Sequence, residues 1–264
     1  MPHRERIPVA LTIAGSDSGG GAGLQADLKT FAALGVHGTS AITCLTAQNP
    51  HGVRGIQAAR PDIVRQQIEA VFAELPPAAV KTGMLFSTAI IRAVRQALGR
   101  HRVPLVVDPV MVATSGARLL HGSAVRALVG ELFPRATLVT PNLDEAEMLV
   151  GARLESVEDL RRAAREIQRR YACAALVKGG HLRGGREAAD VFFDGRDELL
   201  LTAPFVRGVA THGTGCTYSA AIVGYLALGC GLAQAVTLAK THVTQAIAQS
   251  VRVARHTTLN PFWR

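Results

Sequence analysis

Val9-Ala10-Leu11-Thr12-Ile13-Ala14, then Gly15-Ser16-Asp17-Ser18-Gly19-Gly20-Gly21-Ala22-Gly23, then Leu24 to Leu34 closed by Gly35, reads as strand, glycine-rich turn and helix. A strand that feeds a helix through a short turn is the repeating unit of a parallel α/β sheet. Short apolar strand runs recur at Thr39 to Leu45, Ala79 to Thr82, Leu105 to Val107, Thr137 to Thr140 and Ala174 to Val177. Ile56 to Ala58 reads as a shorter strand. Helices fill the gaps. One starts at Pro61 and reaches Glu74, and one is capped by Ser87 and stopped by Gly99. Another runs from a Ser123 cap to about Phe133, and an arginine-rich one starts between Ser156 and Asp159.

Val191 to Phe193 and Leu199 to Thr202 form a hairpin pattern around Asp194-Gly195. The final helix is expected from about Leu232 to Val251, and His256 to Arg264 carries little pattern. Met111 to His121 has no helical period and reads as a loop, a candidate mobile cover. The whole reads as one α/β domain, residues 1–264, with a mainly parallel sheet covered by helices on both faces.

The opening turn is not a dinucleotide fingerprint. Counted from Gly19, no glycine stands at the third position of G-x-G-x-x-G, and Gln48, not an acid, follows the next strand. A Walker-type phosphate loop and the protein-kinase signatures are also missing from the sequence.

Composition narrows the class. The chain has 264 residues, 48% of them hydrophobic, enough for a large core. Its formal net charge is +9, yet the densest basic cluster (Arg161, Arg162, Arg165, Arg169, Arg170) is interleaved with Glu158, Asp159 and Glu166. That is a solvated helix face rather than a nucleic-acid stripe. Cys44, Cys173, Cys216 and Cys230 show no C-x-x-C spacing, so no zinc or redox pair is expected. The charged Met1 to Arg6 leads straight into a strand, and Gly229-Cys230-Gly231 interrupts the longest apolar region. The expectation is a cytoplasmic protein without a membrane span.

A second glycine turn, Thr211-His212-Gly213-Thr214-Gly215-Cys216-Thr217, opens an apolar helix to about Leu228. Backbone amides at a helix start suit an anion, and the same field should favour the Cys216 thiolate. Polar residues follow the other strands at their carboxyl ends: Gln48, Lys81 to Met84, Asp108, Asn142 with Glu145, and Lys178. In a parallel sheet that edge binds ligands. Asp108, Asn142 and Glu145 offer hard oxygens for Mg²⁺, Lys178 can neutralise phosphate, and the Gly213 to Cys216 amides can hold a transferring phosphoryl group.

These motifs together resemble the hydroxymethylpyrimidine/phosphomethylpyrimidine kinases of the ribokinase-like superfamily. They are Ala14 to Thr30, Thr46-Ala47-Gln48-Asn49, Lys81-Thr82-Gly83-Met84, Asp108-Pro109-Val110-Met111, Thr140-Pro141-Asn142-Leu143 with Glu145, Lys178-Gly179-Gly180-His181, and Thr211 to Thr217. The resemblance implies ATP and Mg²⁺ dependence and two successive phosphorylations of a thiamine-precursor pyrimidine. It also implies that Gln48, Asp27, Gly15, Met84 and Val110 bind the pyrimidine, and that Lys178, Asn142, Thr211, His212 and Gly213 bind ATP. Asp108 and Glu145 would serve the metal. Cys216 would accept the hydroxyl proton beside Lys178, Gly213, Thr214 and Gly215. Partners are small molecules, with no nucleic acid or membrane, and a homodimer is left open. Two alternatives stand beside this reading. One is pyridoxal kinase, whose similar members carry a second cysteine where this chain has Val112-Ala113-Thr114-Ser115-Gly116. The other is a non-catalytic binding protein.

Overall fold

The structure is a computed structural model that describes residues 6–111, 120, 122–180, 182, 187–206, 208–209 and 211–263. Nine strands form one sheet in the order β3-β2-β1-β4-β5-β6-β7-β8-β9. They are β1 (Val9–Asp17), β2 (His37–Asn49), β3 (Gly52–Ala58), β4 (Ala79–Thr82), β5 (Leu105–Val107), β6 (Leu138–Val139), β7 (Ala174–Lys178), β8 (Glu187–Phe193) and β9 (Glu198–Pro204). From β2 to β7 every neighbour is parallel, and β3, β8 and β9 are antiparallel additions at the two edges.

Alternate side chains of the parallel strands enter two separate cores, as the two-residue period of a strand requires. Leu11, Ile13, Val80, Val107, Val139 and Val177 face one core. It is covered by α2 (Pro61–Glu74), α3 (Thr88–Leu98), α4 (Gly122–Ala127), α5 (Leu143–Val150) and α6 (Val157–Tyr171). Ala10, Val106, Leu138 and Leu176 face the other, under α1 (Gly23–Ala33), α7 (Thr214–Ala227) and α8 (Leu232–Ala248). Ile90, Ile91, Val94 and Leu98 of α3 are all buried. Each such side chain contributes about 1.5–3 kcal/mol by leaving water.

The helix starts follow their caps. The Ser87 hydroxyl accepts from the Ile90 amide, and Ser156 with Asp159 forms a reciprocal capping box at α6. The arginines of α6 are paired with acids, Arg161 and Arg165 with Glu198, Arg162 with Asp159, and Arg169 and Arg170 with Glu166. No described helix is long and apolar enough to cross a membrane.

Several boundaries differ from the sequence expectation. The helix expected from Ser123 to Phe133 is α4 from Gly122 to Ala127, a wider π turn over Leu128–Leu132 and a short 3₁₀ turn over Phe133–Arg135. Pro134 has no amide to donate, so the α-helical ladder ends before it. The first strand continues through Ser16 to Asp17, inside the expected turn. Gln48 and Asn49 do not end an isolated strand. They pair with Val53 and Gly52 across the tight connection at Pro50-His51, so β2 and β3 form a hairpin at the sheet edge. The last helix stops at Ala248, and β10 (Val251–Val253) pairs with β11 (His256–Thr258) where little pattern was expected. The loop expected from Met111 to His121 falls mostly outside the described residues, as do Thr114 and His181.

Candidate active site

The carboxyl ends of β1, β2, β4, β5 and β7 and the start of α7 open into one cavity of about 740 Å³. The glycine turn after β1 is organised by Asp17. Its Oδ1 accepts from the Gly19 amide at 2.8 Å, and its Oδ2 from Gly21 and Ala22 at 3.1 and 2.8 Å. Burial would raise the Asp17 carboxyl, but His212 and these amides hold it below its ordinary value. The turn then meets the start of α7. Gly213 has φ +84°, and a Cβ there would lie 1.9 Å from the Gly21 carbonyl oxygen, so both backbone conformation and contact demand glycine.

At α7 the expected amide cradle is only partly available. The Thr214 amide and hydroxyl both donate to the Thr211 carbonyl, at 3.1 and 2.8 Å. Thr214 therefore shapes the turn and has no free donor for a ligand. Thr217 makes the first intrahelical bond, to Gly213. That leaves the amides of the N-cap Gly213 and of Gly215 and Cys216 as the open donors of the helix start, and no side chain caps it.

Lys178 ends β7 beside that turn. Its Nζ lies 3.1 Å from Asp108 Oδ1. Thr140 donates to the same oxygen at 3.1 Å, and Ser219 lies 3.0 Å from Oδ2. Burial alone would push the Asp108 carboxyl up, but the ammoniums of Lys178 and Lys81 bring it below its ordinary value. Burial pulls Lys178 down, and Asp108 with Glu145 outweighs it, so the lysine stays charged.

Asn142 caps α5. Its Oδ1 accepts from the Glu145 amide, and Glu145 Oε2 accepts from the Asn142 amide, both at 2.9 Å. Glu145 Oε1 accepts from the Met111 amide at 2.9 Å. Each Glu145 oxygen is thus already engaged by backbone. Burial pushes its carboxyl up to about 7, with Asp108 adding to the rise and Lys178 opposing it. Among the described residues no cluster of three or more His, Cys, Asp or Glu stands ready to ligate a metal directly. The remaining lone pairs of Asp108 and Glu145 would suit a hydrated cation such as Mg²⁺.

At the other end of the cavity, Gln48 Oε1 accepts from Thr46 at 3.2 Å, and Gln48 Nε2 lies 3.3 Å from His212 Nε2. His212 is also 3.5 Å from Asp17 Oδ2. It therefore belongs to the Gln48 end, not to the phosphate end where the ATP assignment would put it. Thr211 is exposed at the rim, and its carbonyl is spent on Thr214. Gly15, Met84 and Val110 line this end. A Cβ on Gly15 would lie 2.8 Å from both Cys44 Sγ and Met84 Cε, so only glycine leaves that floor open. Val110 holds φ +44°, a strained conformation for a β-branched residue.

Two expectations are overturned. Asp27 does not border the cavity. It is fully buried and ion-paired with Lys81, because α1 turns its carboxylate toward β4. Nor is the Cys216 thiol lowered. Cys216 lines the cavity, but burial pushes its thiol up to about 11; Lys81 opposes this while Asp27 and Asp108 add to it. Desolvation outweighs the helix-end field here.

Sequence reasoning missed Thr140 and Ser219, whose hydroxyls seat Asp108. It also missed the apolar part of the cavity wall supplied by Ala188, Ala203, Pro204, Phe205, Val243 and Ile247. These come from β8, β9 and α8 and the segment after β9, and no local motif joins them.

The sequence profile of the family described as phosphomethylpyrimidine kinase matches residues 17–260. The chain belongs to that family. A hydroxymethylpyrimidine/phosphomethylpyrimidine kinase from Rhizobium meliloti is 50% identical over 93% of this chain and 92% of its own. A bifunctional thiamine-biosynthesis protein from Geobacter sulfurreducens is also 50% identical, over 90% of this chain, which spans only 48% of that longer protein. Among solved structures, a Bacillus subtilis pyridoxal kinase in complex with ADP superposes with a TM-score of 0.88 at 36% identity, covering 97% of both chains. As in other phosphomethylpyrimidine kinases, the fold is ribokinase-like.

Proposed function

We propose that the chain transfers the γ-phosphoryl group of ATP to the hydroxyl of 4-amino-5-hydroxymethyl-2-methylpyrimidine, and then a second one to the monophosphate so formed. The observation that carries this reading is the single cavity. It joins Lys178 and the amide-bearing start of α7 to the pocket of Gln48, Gly15, Met84 and Val110. Gln48 donates and accepts at once, which suits a ring nitrogen beside an amino group. The nucleotide's base packs on the apolar wall of Phe205, Val243 and Ile247, and its phosphates reach the amides at the start of α7 and Lys178.

In the first transfer the acceptor oxygen bonds to the γ-phosphorus as the bond to the β–γ bridging oxygen breaks, and that electron pair leaves with ADP. The hydroxyl proton passes to the Cys216 sulfur in its ionised form, which burial makes the minor one. In the second transfer the nucleophile is a phosphate oxygen, already anionic near neutral pH. Most of the work is positioning and charge compensation, as in other phosphoryl transfers. Bound Mg²⁺ would neutralise phosphate charge, with Asp108 and Glu145 holding its waters. The setting is cytoplasmic thiamine biosynthesis.

Pyridoxal phosphorylation is the second reading, favoured by the overlay on a pyridoxal kinase. A coupled ADP-release assay with the pyrimidine alcohol, its monophosphate and pyridoxal tests both. Turnover of the first two above pyridoxal supports the proposal, and pyridoxal as the best acceptor overturns it.

A further inference from the structure

Under the cavity lies a charge pair that the roles of Gln48, Lys178 and Cys216 leave unexplained. The side chains of Lys81 and Asp27 are both 0% exposed, with Nζ 2.5 Å from Oδ1. Thr12 Oγ1 donates to the other Asp27 oxygen at 2.6 Å. Lysine and aspartate are almost never fully buried unless paired. Even paired, apolar side chains of similar size are often as stable in their place. Stability alone therefore gives little reason for this pair.

Its position gives a better one. β4 lies in the middle of the sheet, between β1 and β5, and Lys81 is near its carboxyl end. Lys81 borders the cavity, and Asp27 sits behind it. The ammonium lies against Gly83, whose missing side chain leaves it 3.6 Å from the point where a Cβ would be. Cys216 starts α7, which packs on β4, and Asp108 follows β5; both border the same cavity as Lys81, and with the ion-paired Asp27 of α1 they are the acidic groups that act on it. Burial pulls Lys81 down, but these three together hold it up to about 12.

We propose that Lys81 is a positioning residue for phosphoryl transfer: fixed by Asp27, whose other oxygen Thr12 holds, it keeps a permanent positive charge beside Cys216 and Asp108 without touching the substrate. The need for it follows from the charge balance. Ionisation of the Cys216 thiol and the approach of phosphates both add negative charge to a space that holds Asp108 and lies in front of Asp27. A mobile or solvated lysine would screen poorly, whereas one ion-paired to a carboxylate that Thr12 in turn holds is preorganised. The effect reaches the substrate through the sulfur, so the alcohol step should depend on Lys81 more than the monophosphate step.

This rests on the kinase reading, and the test separates the two. The variants are K81M, D27N and D27N/K81M in the full chain. The probe is iodoacetamide labelling of the Cys216 peptide at fixed pH, followed by mass spectrometry, alongside single-turnover rates for both acceptors. Removing the cation should slow labelling about tenfold, the equivalent of one pKa unit, and removing the carboxylate should speed it. D27N/K81M should label more slowly than D27N, lose more rate on the alcohol than on the monophosphate, and keep its KM for ATP. If K81M alone fails to fold around an unpaired carboxylate, the comparison of D27N with D27N/K81M still isolates the lysine charge. Equal labelling in all folded variants, or shifts of the same sign from both halves of the pair, would overturn the proposal. Failure of the wild type to phosphorylate the pyrimidine would overturn the kinase reading and leave the labelling result to decide Lys81.

Discussion

Lys178 Nζ sits 3.1 Å from Asp108 Oδ1, so the cation that faces the transfer point is already satisfied by a carboxylate before a nucleotide arrives. Incoming phosphates must compete with Asp108 for it. We therefore expect D108N to bind metal-free ATP more tightly than the wild type, yet to turn over more slowly. K178M should bind ATP more weakly and lose turnover. Removing a single charge-stabilising group typically costs ~10²–10³-fold in rate. Equilibrium binding without Mg²⁺, set beside steady-state kcat, checks this. Weaker ATP binding in D108N with an unchanged kcat would show that the pair is only structural.

Gln48 offers its amide at the end of the cavity remote from Lys178, where its neighbours are Thr46 and His212. Q48A should raise KM for the pyrimidine about tenfold to a hundredfold, the usual consequence of leaving ~1–3 kcal/mol of polar pairing unmade. KM for ATP should move less than threefold, roughly the scatter expected of an uninvolved site. Comparable losses for both substrates would argue against Gln48 as the reader of the ring.

Cys216 gives a pH signature. A thiol held up at about 11 must lose its proton before it can accept one. The single-turnover rate on the alcohol should therefore climb with pH across the neutral and alkaline range instead of levelling near 8. C216S should lose most of that rate and its pH slope. The monophosphate step should be nearly flat with pH and less affected by the substitution. A wild-type plateau near neutrality would mean that bound substrate lowers the thiol; equal loss in both steps would assign Cys216 to the anion cradle.

Glu145 should make the ligand-free protein less stable as pH rises. Its carboxyl is up at about 7 against an ordinary 4.5, so between those values the folded chain binds more protons than the unfolded one. Stability contributed by this group is present below about 4.5 and is lost as pH passes 7, by up to roughly 3 kcal/mol if the shift is fully realised. Denaturation of wild type and E145Q from pH 5 to 8 should show a falling difference between them. Parallel pH profiles would show that Glu145 ionises at its ordinary value.

Element order, the parallel sheet and its two helical faces were readable because strand and helix periods alternate from Val9 to Ala248. The pairing across Pro50-His51 was not, since a polar stop such as Gln48-Asn49 reads the same whether the strand ends there or turns back to pair with an exposed neighbour. The strand-end polar residues were readable as a set because a parallel sheet carries them all to one edge. Their division of labour was not. Asn142 reads equally well as cap or ligand, and only the reciprocal bonds with Glu145 show how much of both side chains the cap consumes. Asp27 follows Ala26 in a helix whose rotation no sequence window fixes, so its burial against Lys81 was hidden. The Cys216 thiol was misjudged because the helix start is local in sequence, whereas the desolvation that dominates it comes from the whole chain.

The contact between Gly21 and Gly213 has a mechanical consequence. The loop that follows the first strand and the loop that starts α7 meet backbone to backbone, with no side chain between them to act as a spring. The glycine turn that Asp17 organises and the start of α7 are thereby joined through main chain alone. With glycine on one side and a carbonyl on the other, that seam has no side chain to yield, so a closing motion around bound ligands has to come from the other walls of the cavity.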